Sequence, residues 1–134
     1  MKTITISTDK NQLDLNFIHA FISNTYWAKG RTLAEVQTCI DYSLNFGIYL
    51  NNQQIGYARV VTDYVAFAYL MDVFIIEQHQ KQGYSTQLME FILNYPELKS
   101  VKVWRLATTD AHYLYKKFGF TALKSPEKMM ERIV

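Results

Sequence analysis

Cysteine is nearly absent. The 134 residues contain one, Cys39, so no internal disulfide can form and a reducing cytoplasm is the expected setting. An excess of one charge is also missing. Fourteen lysines and arginines stand against 12 acids, for a net charge of +2, and their scatter argues against a nucleic-acid groove or a polybasic membrane patch. No apolar run is long enough for a membrane span. The first residues after Met1, Lys2-Thr3-Ile4-Thr5-Ile6, alternate as a strand does and do not lead into a signal peptide. Repeats, linkers and low-complexity tracts are lacking as well. What is present, a 49% hydrophobic composition over this length, supplies one core and not two, which predicts a single domain over residues 1–134.

The periodicities predict a strand at roughly Lys2 to Ser7, a polar turn from Thr8 to Asn11, and a helix with Leu15, Ile18, Phe21 and Ile22 on one face. His19 on that helix is given no ligand role. A second helix is capped by Thr32, with Glu35 completing a capping box. It carries Leu33, Val36, Ile40 and Leu44, with Cys39 on its apolar side. From Gly47 the pattern turns to strands: Ile48 to Leu50, a turn at Asn51-Asn52, Gln54 to Val61, a turn near Thr62-Asp63, and a long strand from Tyr64 to Ile76. This is an antiparallel meander. A further strand is expected at Val101 to Leu106, and a last one around Lys128 to Ile133 after a turn at Ser125-Pro126.

The stretch from Asp72 to Leu93 carries the chemistry. Val73, Phe74, Ile75 and Ile76 end the long strand, while Tyr84, Leu88, Phe91, Ile92 and Tyr95 recur at helical spacing. Between them lies Gln80-Lys81-Gln82-Gly83-Tyr84-Ser85. The first turn of a helix leaves backbone N–H groups unpaired and carries the positive end of the peptide dipole, so a phosphate is a natural occupant. Gly83 removes the side chain that would fend it off. The same residues also suit an ordinary strand-to-helix turn.

The spacing Gln-x-x-Gly-x-Ser resembles the Gln/Arg-x-x-Gly-x-Gly/Ala signature of the GNAT superfamily, the acetyl-CoA-dependent N-acetyltransferases. A second stretch, Ala111-His112-Tyr113-Leu114-Tyr115-Lys116-Lys117-Phe118-Gly119-Phe120, is similar to that family's Ala-x-x-Leu-Tyr-x-Lys-x-Gly-Phe. Gly119 stands where a left-handed helix cap belongs. The resemblance covers roughly residues 47 to 122. It implies an α/β (α+β) GNAT fold: a mixed central sheet of about six to seven strands, about four helices, and a V-shaped splay between two central strands. In that family the glycine loop holds the cofactor's pyrophosphate, which carries over to Gln80, Lys81, Gln82, Gly83, Tyr84 and Ser85. The resemblance also places backbone groups of Val73 and Ile75 against the pantetheine arm and the acetyl carbonyl. Thr108 stands where many relatives have an asparagine on that arm, which leaves one side-chain contact in question.

The resemblance puts the phenol of Tyr115 near the thioester sulfur, where it would protonate the departing thiolate; the alternative is a tyrosine that packs by its ring. Asp72, the one acid in an apolar strand, takes a proton from the amine if it faces the cleft and is a hydrogen-bonded structural acid if it does not. The loop Tyr26-Trp27-Ala28-Lys29-Gly30-Arg31 is either a packed corner or a wall for the acceptor, with Trp27 and Arg31 as substrate contacts. Arg59 and Asp63 are either acceptor contacts or solvated hairpin charges; the second is the commoner case, and neither is counted among the site residues. The expected activity is transfer of acetyl from acetyl-CoA to a primary amine of a small molecule or peptide, by direct attack and without a metal. The rival reading is a non-catalytic acyl-CoA-binding module. A homodimer is compatible with either.

Overall fold

The computed structural model describes residues 2–134. In chain order they form β1 (Ile4–Ser7), α1 (Leu15–Ile22), α2 (Leu33–Asp41), β2 (Leu44–Leu50), β3 (Gln53–Thr62), β4 (Phe67–Ile75), α3 (Tyr84–Leu93), β5 (Val103–Arg105) and α4 (His112–Lys116). The strands build one sheet in the order β1-β2-β3-β4-β5. The first three pairings are antiparallel, and β4 with β5 is parallel. Among the described residues no helix is long and apolar enough to cross a membrane.

Local chemistry sets the corners. Asn51 and Asn52 join β2 to β3 with φ of 49° and 69°, the pair of positive values that a tight hairpin demands and that asparagine tolerates best after glycine. Asp14 caps α1 by accepting the Phe17 N–H at 3.0 Å. Thr32 and Glu35 form the expected capping box on α2. Gly119 ends the α4 region at φ 87°, with the Phe120 N–H returning to the Tyr115 carbonyl at 3.2 Å, the left-handed cap that glycine adopts without steric cost.

Two apolar clusters sandwich the sheet. One face carries Phe46, Ile48, Ala58, Val60, Leu70 and Ile75 against Leu88, Met89 and Ile92 of α3. The other carries Tyr57 and Phe74 against Ile18 and Ile22 of α1 and Val36 and Ile40 of α2. Phe21 stacks on Phe74 with ring centroids 3.9 Å apart. The buried Tyr57 hydroxyl donates to Asn45 Oδ1, and burial raises its pKa.

The structure departs from the sequence expectations in several places. The sheet has five strands, not six or seven. Residues 128–133 form no strand; a single 3-10 turn spans Pro126–Lys128, and the segment beyond it is exposed. Leu44 opens β2 instead of closing α2, because Ser43 follows the cap of that helix and Leu44 pairs with Val60 across the hairpin. The strand expected over Val101 to Leu106 keeps only Val103–Arg105, since β4 pairs with it only at Phe67, Ala68 and Tyr69.

A bulge interrupts β4 where it matters most. Arg59 pairs with Met71 but Tyr57 pairs with Phe74, so Asp72 and Val73 together oppose Ala58, and Asp72 takes a φ of 55°. One extra residue reverses the alternation of the strand. Ala68 and Leu70 face α3, and an unbroken strand would send Asp72 with them. The bulge instead sends Asp72 to the α1 and α2 side, where Arg59 also points.

Candidate active site

The anion loop begins at the end of β4. The Gln80 side-chain amide donates to the Ile75 carbonyl at 2.8 Å, which fastens the loop to the strand. Lys81 and then Gly83 turn through left-handed conformations, at φ 62° and 82°. A Cβ placed on Gly83 would have no atom within 4 Å, so the loop leaves open space above the first turn of α3. The first bond of that helix is Gln87 N–H to the Gly83 carbonyl at 3.1 Å. Ahead of it, the N–H groups of Tyr84, Ser85 and Thr86 have no acceptor among the described residues. Three parallel donors at the positive end of a ten-residue helix form a ready anion seat.

From this seat a cleft of about 840 Å³ runs between β4 and the β5–α4 segment. It exists because the two strands pair over three residues and then part. Beyond Tyr69, no strand among the described residues lies along the β5 side of β4. Val73 and Ile75 line the cleft on this strandless side of β4, where a ligand amide can add to a sheet as another strand would. On the opposite wall the Thr108 hydroxyl accepts the Ala111 N–H at 3.0 Å and steadies the start of α4. Lys81 and Lys117 stand at the cleft margin.

At the other end lies a buried charge cluster. Asp72 Oδ2 accepts from Arg59 Nε at 2.6 Å and from an Arg31 terminal nitrogen at 2.8 Å, while Oδ1 accepts from Trp27 Nε1 at 2.9 Å. The Asp72 side chain is 1% exposed, Arg59 7% and Arg31 18%. Two guanidiniums share one carboxylate, so the cluster is net positive and Arg31 is its accessible member. The loop that carries Trp27 and Arg31 is held from both sides. His19 Nε2 bonds the Arg31 carbonyl at 3.0 Å, and the Tyr26 hydroxyl accepts the Thr109 N–H at 3.2 Å across the cleft.

Tyr115 also lines the cleft. It is 8% exposed, and its ring packs edge-on against Phe120 at 5.9 Å. Its hydroxyl has no protein partner among the described residues. Burial, followed by the nearby Tyr26, Asp110 and Tyr113, pushes its pKa up to about 12. The phenol therefore keeps its proton throughout the neutral range and can only donate.

Asp72, Val73, Ile75, Gln80, Lys81, Gly83, Tyr84, Ser85, Thr108, Tyr115, Trp27 and Arg31 all line this one cleft, and Gln82 does not. Asp72 combines the two expected alternatives: it borders the cleft, yet both carboxylate oxygens are already engaged. The reading of Arg59 as a solvated hairpin charge is wrong, since its guanidinium is buried against Asp72. A lone arginine and a lone acid on adjacent antiparallel strands were the available signal. Asp63 does lie at the surface, where it accepts the Val65, Ala66 and Phe67 N–H groups; these bonds lower its pKa. Sequence reasoning included Tyr26 and Lys117 in its motifs but gave neither a site role of its own; both line the cleft. No group of three or more histidine, cysteine or acidic side chains that could share a metal ion occurs among the described residues.

Residues 41–122 match the acetyltransferase (GNAT) domain. A crystal structure from Xanthomonas campestris pv. campestris, provisionally named a GNAT-family acetyltransferase, is 44% identical. It superposes over 98% of this chain and 94% of its own with a TM-score of 0.95. A provisionally named acetyltransferase of Gibberella zeae is 29% identical, over 84% of this chain and 75% of its own. A crystal structure from Clostridium acetobutylicum, described as a predicted acetyltransferase with acetyl-CoA, shares the fold at 14% identity, with a TM-score of 0.63 over 99% of this chain and 96% of its own. With the domain match spanning more than half of the chain and the Xanthomonas relative matched nearly end to end, this chain belongs to the GNAT acetyltransferase family.

Proposed function

We propose that this protein acetylates a primary amine of a small molecule or peptide by direct attack within a ternary complex, with acetyl-CoA as the donor. One observation carries the reading. Uncommitted N–H donors at the start of α3 open into a cleft that follows the unpaired half of β4 and reaches the buried phenol of Tyr115.

The residues present fit the donor. The N–H groups after Gly83 would seat a diphosphate, with Lys81 and Lys117 adding charge at the margin, and Gln80 would hold the loop in place. The exposed edge at Val73 and Ile75 would bond an amide-bearing arm opposite Thr108. Acetyl-CoA supplies the acyl group as an activated thioester; the chain binds, orients and handles protons.

Tyr115 would donate its proton at the leaving sulfur. An ordinary thiol titrates near 8.5, below a free phenol near 10, so in water the transfer would run uphill. The same desolvation that raises the phenol raises a thiolate formed beside it, which narrows the gap. Asp72 is better suited to positioning than to base chemistry, because accepting a proton would cost it two guanidinium contacts. We assign it to hold Trp27 and Arg31 as the acceptor wall. Arg31 uses one terminal nitrogen on Asp72 and keeps its other donors for an anionic group on the acceptor. Cys39 does not line the cleft, so no thiol is placed to form an acyl-enzyme. The cytoplasmic setting is retained as part of this reading.

Release of free thiol from acetyl-CoA against a panel of amino acids, polyamines, aminoglycosides and peptides tests the proposal. Amine-dependent release supports it. Protection against heat by CoA with no release from any amine replaces it with a binding module.

A further inference from the structure

The acceptor end of the cleft carries more positive charge than its own groups neutralise. Arg59 is committed inward, with Nε on Asp72 Oδ2 at 2.6 Å and a terminal nitrogen on Ser43 Oγ at 3.1 Å. Arg31 makes one side-chain hydrogen bond among the described residues, from Nη1 to that same Asp72 oxygen at 2.8 Å. Its Nε and Nη2, which form one edge of the guanidinium fork, have no protein acceptor. The residue is held in place all the same. Its N–H donates to the Ala28 carbonyl at 3.0 Å, and its own carbonyl is bonded by His19 Nε2 at 3.0 Å. Arg31 lines the cleft, so a preorganised pair of parallel donors is presented there.

The charges decide what these donors can take. Asp72 already accepts from two guanidiniums and from Trp27 Nε1. The other acid on the cleft wall, Asp110, is exposed on the segment between β5 and α4, and the remaining titratable groups with charge, His79, Lys81 and Lys117, are basic. A polyamine or aminoglycoside, whose further ammonium groups need carboxylates, has no seat here. Two guanidiniums and one carboxylate leave a net charge of +1. One carboxylate cancels it, whereas a phosphate dianion overshoots it. The two oxygens of a carboxylate also match the spacing of a guanidinium edge.

The neighbouring wall is aromatic. Trp27 is 41% and Tyr26 62% exposed, and the two rings stand edge to face with centroids 5.2 Å apart. Phe21, Tyr69 and Met71 also line the cleft. Open aromatic surface beside a fixed polar grip suits a small ligand with an apolar body. Resting on the acetyl-transfer role proposed for this cleft, we infer that the acceptor is a free amino acid with an apolar or aromatic side chain. Arg31 holds its carboxylate, and Trp27 and Tyr26 receive its side chain. Its neutral amine nitrogen bonds to the acetyl carbon as the C–S bond breaks; the nitrogen loses a proton and the thiolate gains one, giving the N-acetyl amino acid and CoA. A peptide N-terminus is excluded, because its first residue presents a neutral amide where the carboxylate belongs.

Matched pairs test this. L-phenylalanine, L-methionine, their amides, glycine and spermidine are compared by thiol release from acetyl-CoA and by calorimetric binding to the CoA-saturated protein, which needs no turnover. Each apolar acid should bind at least about tenfold tighter than its amide, with KM lower by the same factor. Loss of the carboxylate lowers the pKa of the amine and by itself favours turnover of the amide, so a preference for the acid reports the carboxylate. Glycine should bind more weakly than either acid, and spermidine should not bind. Arg31→Gln should bring each acid down to the level of its amide with CoA affinity unchanged, and Arg31→Lys should recover part of the loss; circular dichroism checks that both fold. The comparison of acid with amide in the parent decides the matter even if they do not. Amides equal to acids, or spermidine preferred, overturn the inference, while amine-dependent thiol release would still uphold acetyl transfer. Acids that bind through Arg31 without any thiol release uphold the amino-acid site and overturn acetyl transfer. Glycine as tight as phenylalanine overturns the side-chain assignment, and no binding or turnover of any amino acid overturns the inference as a whole.

Discussion

Replacing Tyr115 by phenylalanine removes one oxygen and leaves a ring already packed against Phe120. The hydroxyl it loses has no partner among the described residues, so no donor or acceptor is orphaned, and the fold should lose at most about 0.5 kcal/mol against the usual 0.5–1.5 for a bonded hydroxyl. For a domain of this size that moves Tm by no more than about 2 °C. The effect on turnover is of another order. A positioned general acid contributes about 100-fold to 10,000-fold, or roughly 3 to 5 kcal/mol of barrier. The assay is steady-state thiol release at saturating acetyl-CoA and amine, with CoA affinity measured by calorimetry and melting followed in parallel. We expect kcat to fall at least 100-fold while affinity and Tm hold. The pH profile adds a second check. Because the phenol titrates near pH 12, it contributes no falling limb below about pH 11, so turnover in the parent should rise with deprotonation of the amine and then stay level. Retention of most turnover by Tyr115→Phe would refute the assignment, leaving water or another group as the proton source.

Three further outcomes follow from the geometry. Gly83→Val places a β-branched residue at φ 82°, which costs about 1–2 kcal/mol of stability, and fills the space over the α3 donors; a folded variant that binds CoA as the parent does would remove the loop from the cofactor site. Asp72→Asn leaves Arg59 buried without a full counter-charge, and loss of one partner of a buried pair costs about 3–5 kcal/mol, so urea unfolding should show a large drop in stability. A stable variant with only a lowered kcat would instead make Asp72 the base. Burial raises Tyr49 and Tyr115 to about 12, above the unfolded value near 10, so their stabilising effect is complete below pH 10 and lost as pH rises through 12. Denaturation midpoints should therefore fall between pH 10 and 12, and fall less in Tyr115→Phe; equal slopes would contradict the buried phenol.

Local chemistry, and therefore sequence, determined the helix caps at Thr32 and Gly119, the Asn51-Asn52 turn, the meander and the glycine loop. Each depends on a few neighbouring residues whose conformational limits are intrinsic. The family signature rests on the same short-range features, which is why the left-handed glycine turn ahead of α3 was legible in the residues alone. Position across the sheet was a different matter. Alternation along β4 assigns Asp72 to the α3 side, and only the bulge, a register shift between two strands, turns it toward Arg59, Trp27 and Arg31, residues 13 to 45 positions away. The fate of the last ten residues was likewise not local. Their strand-like composition predicts pairing, but a strand exists only where an edge is available to it, and tertiary structure decides which edge that is.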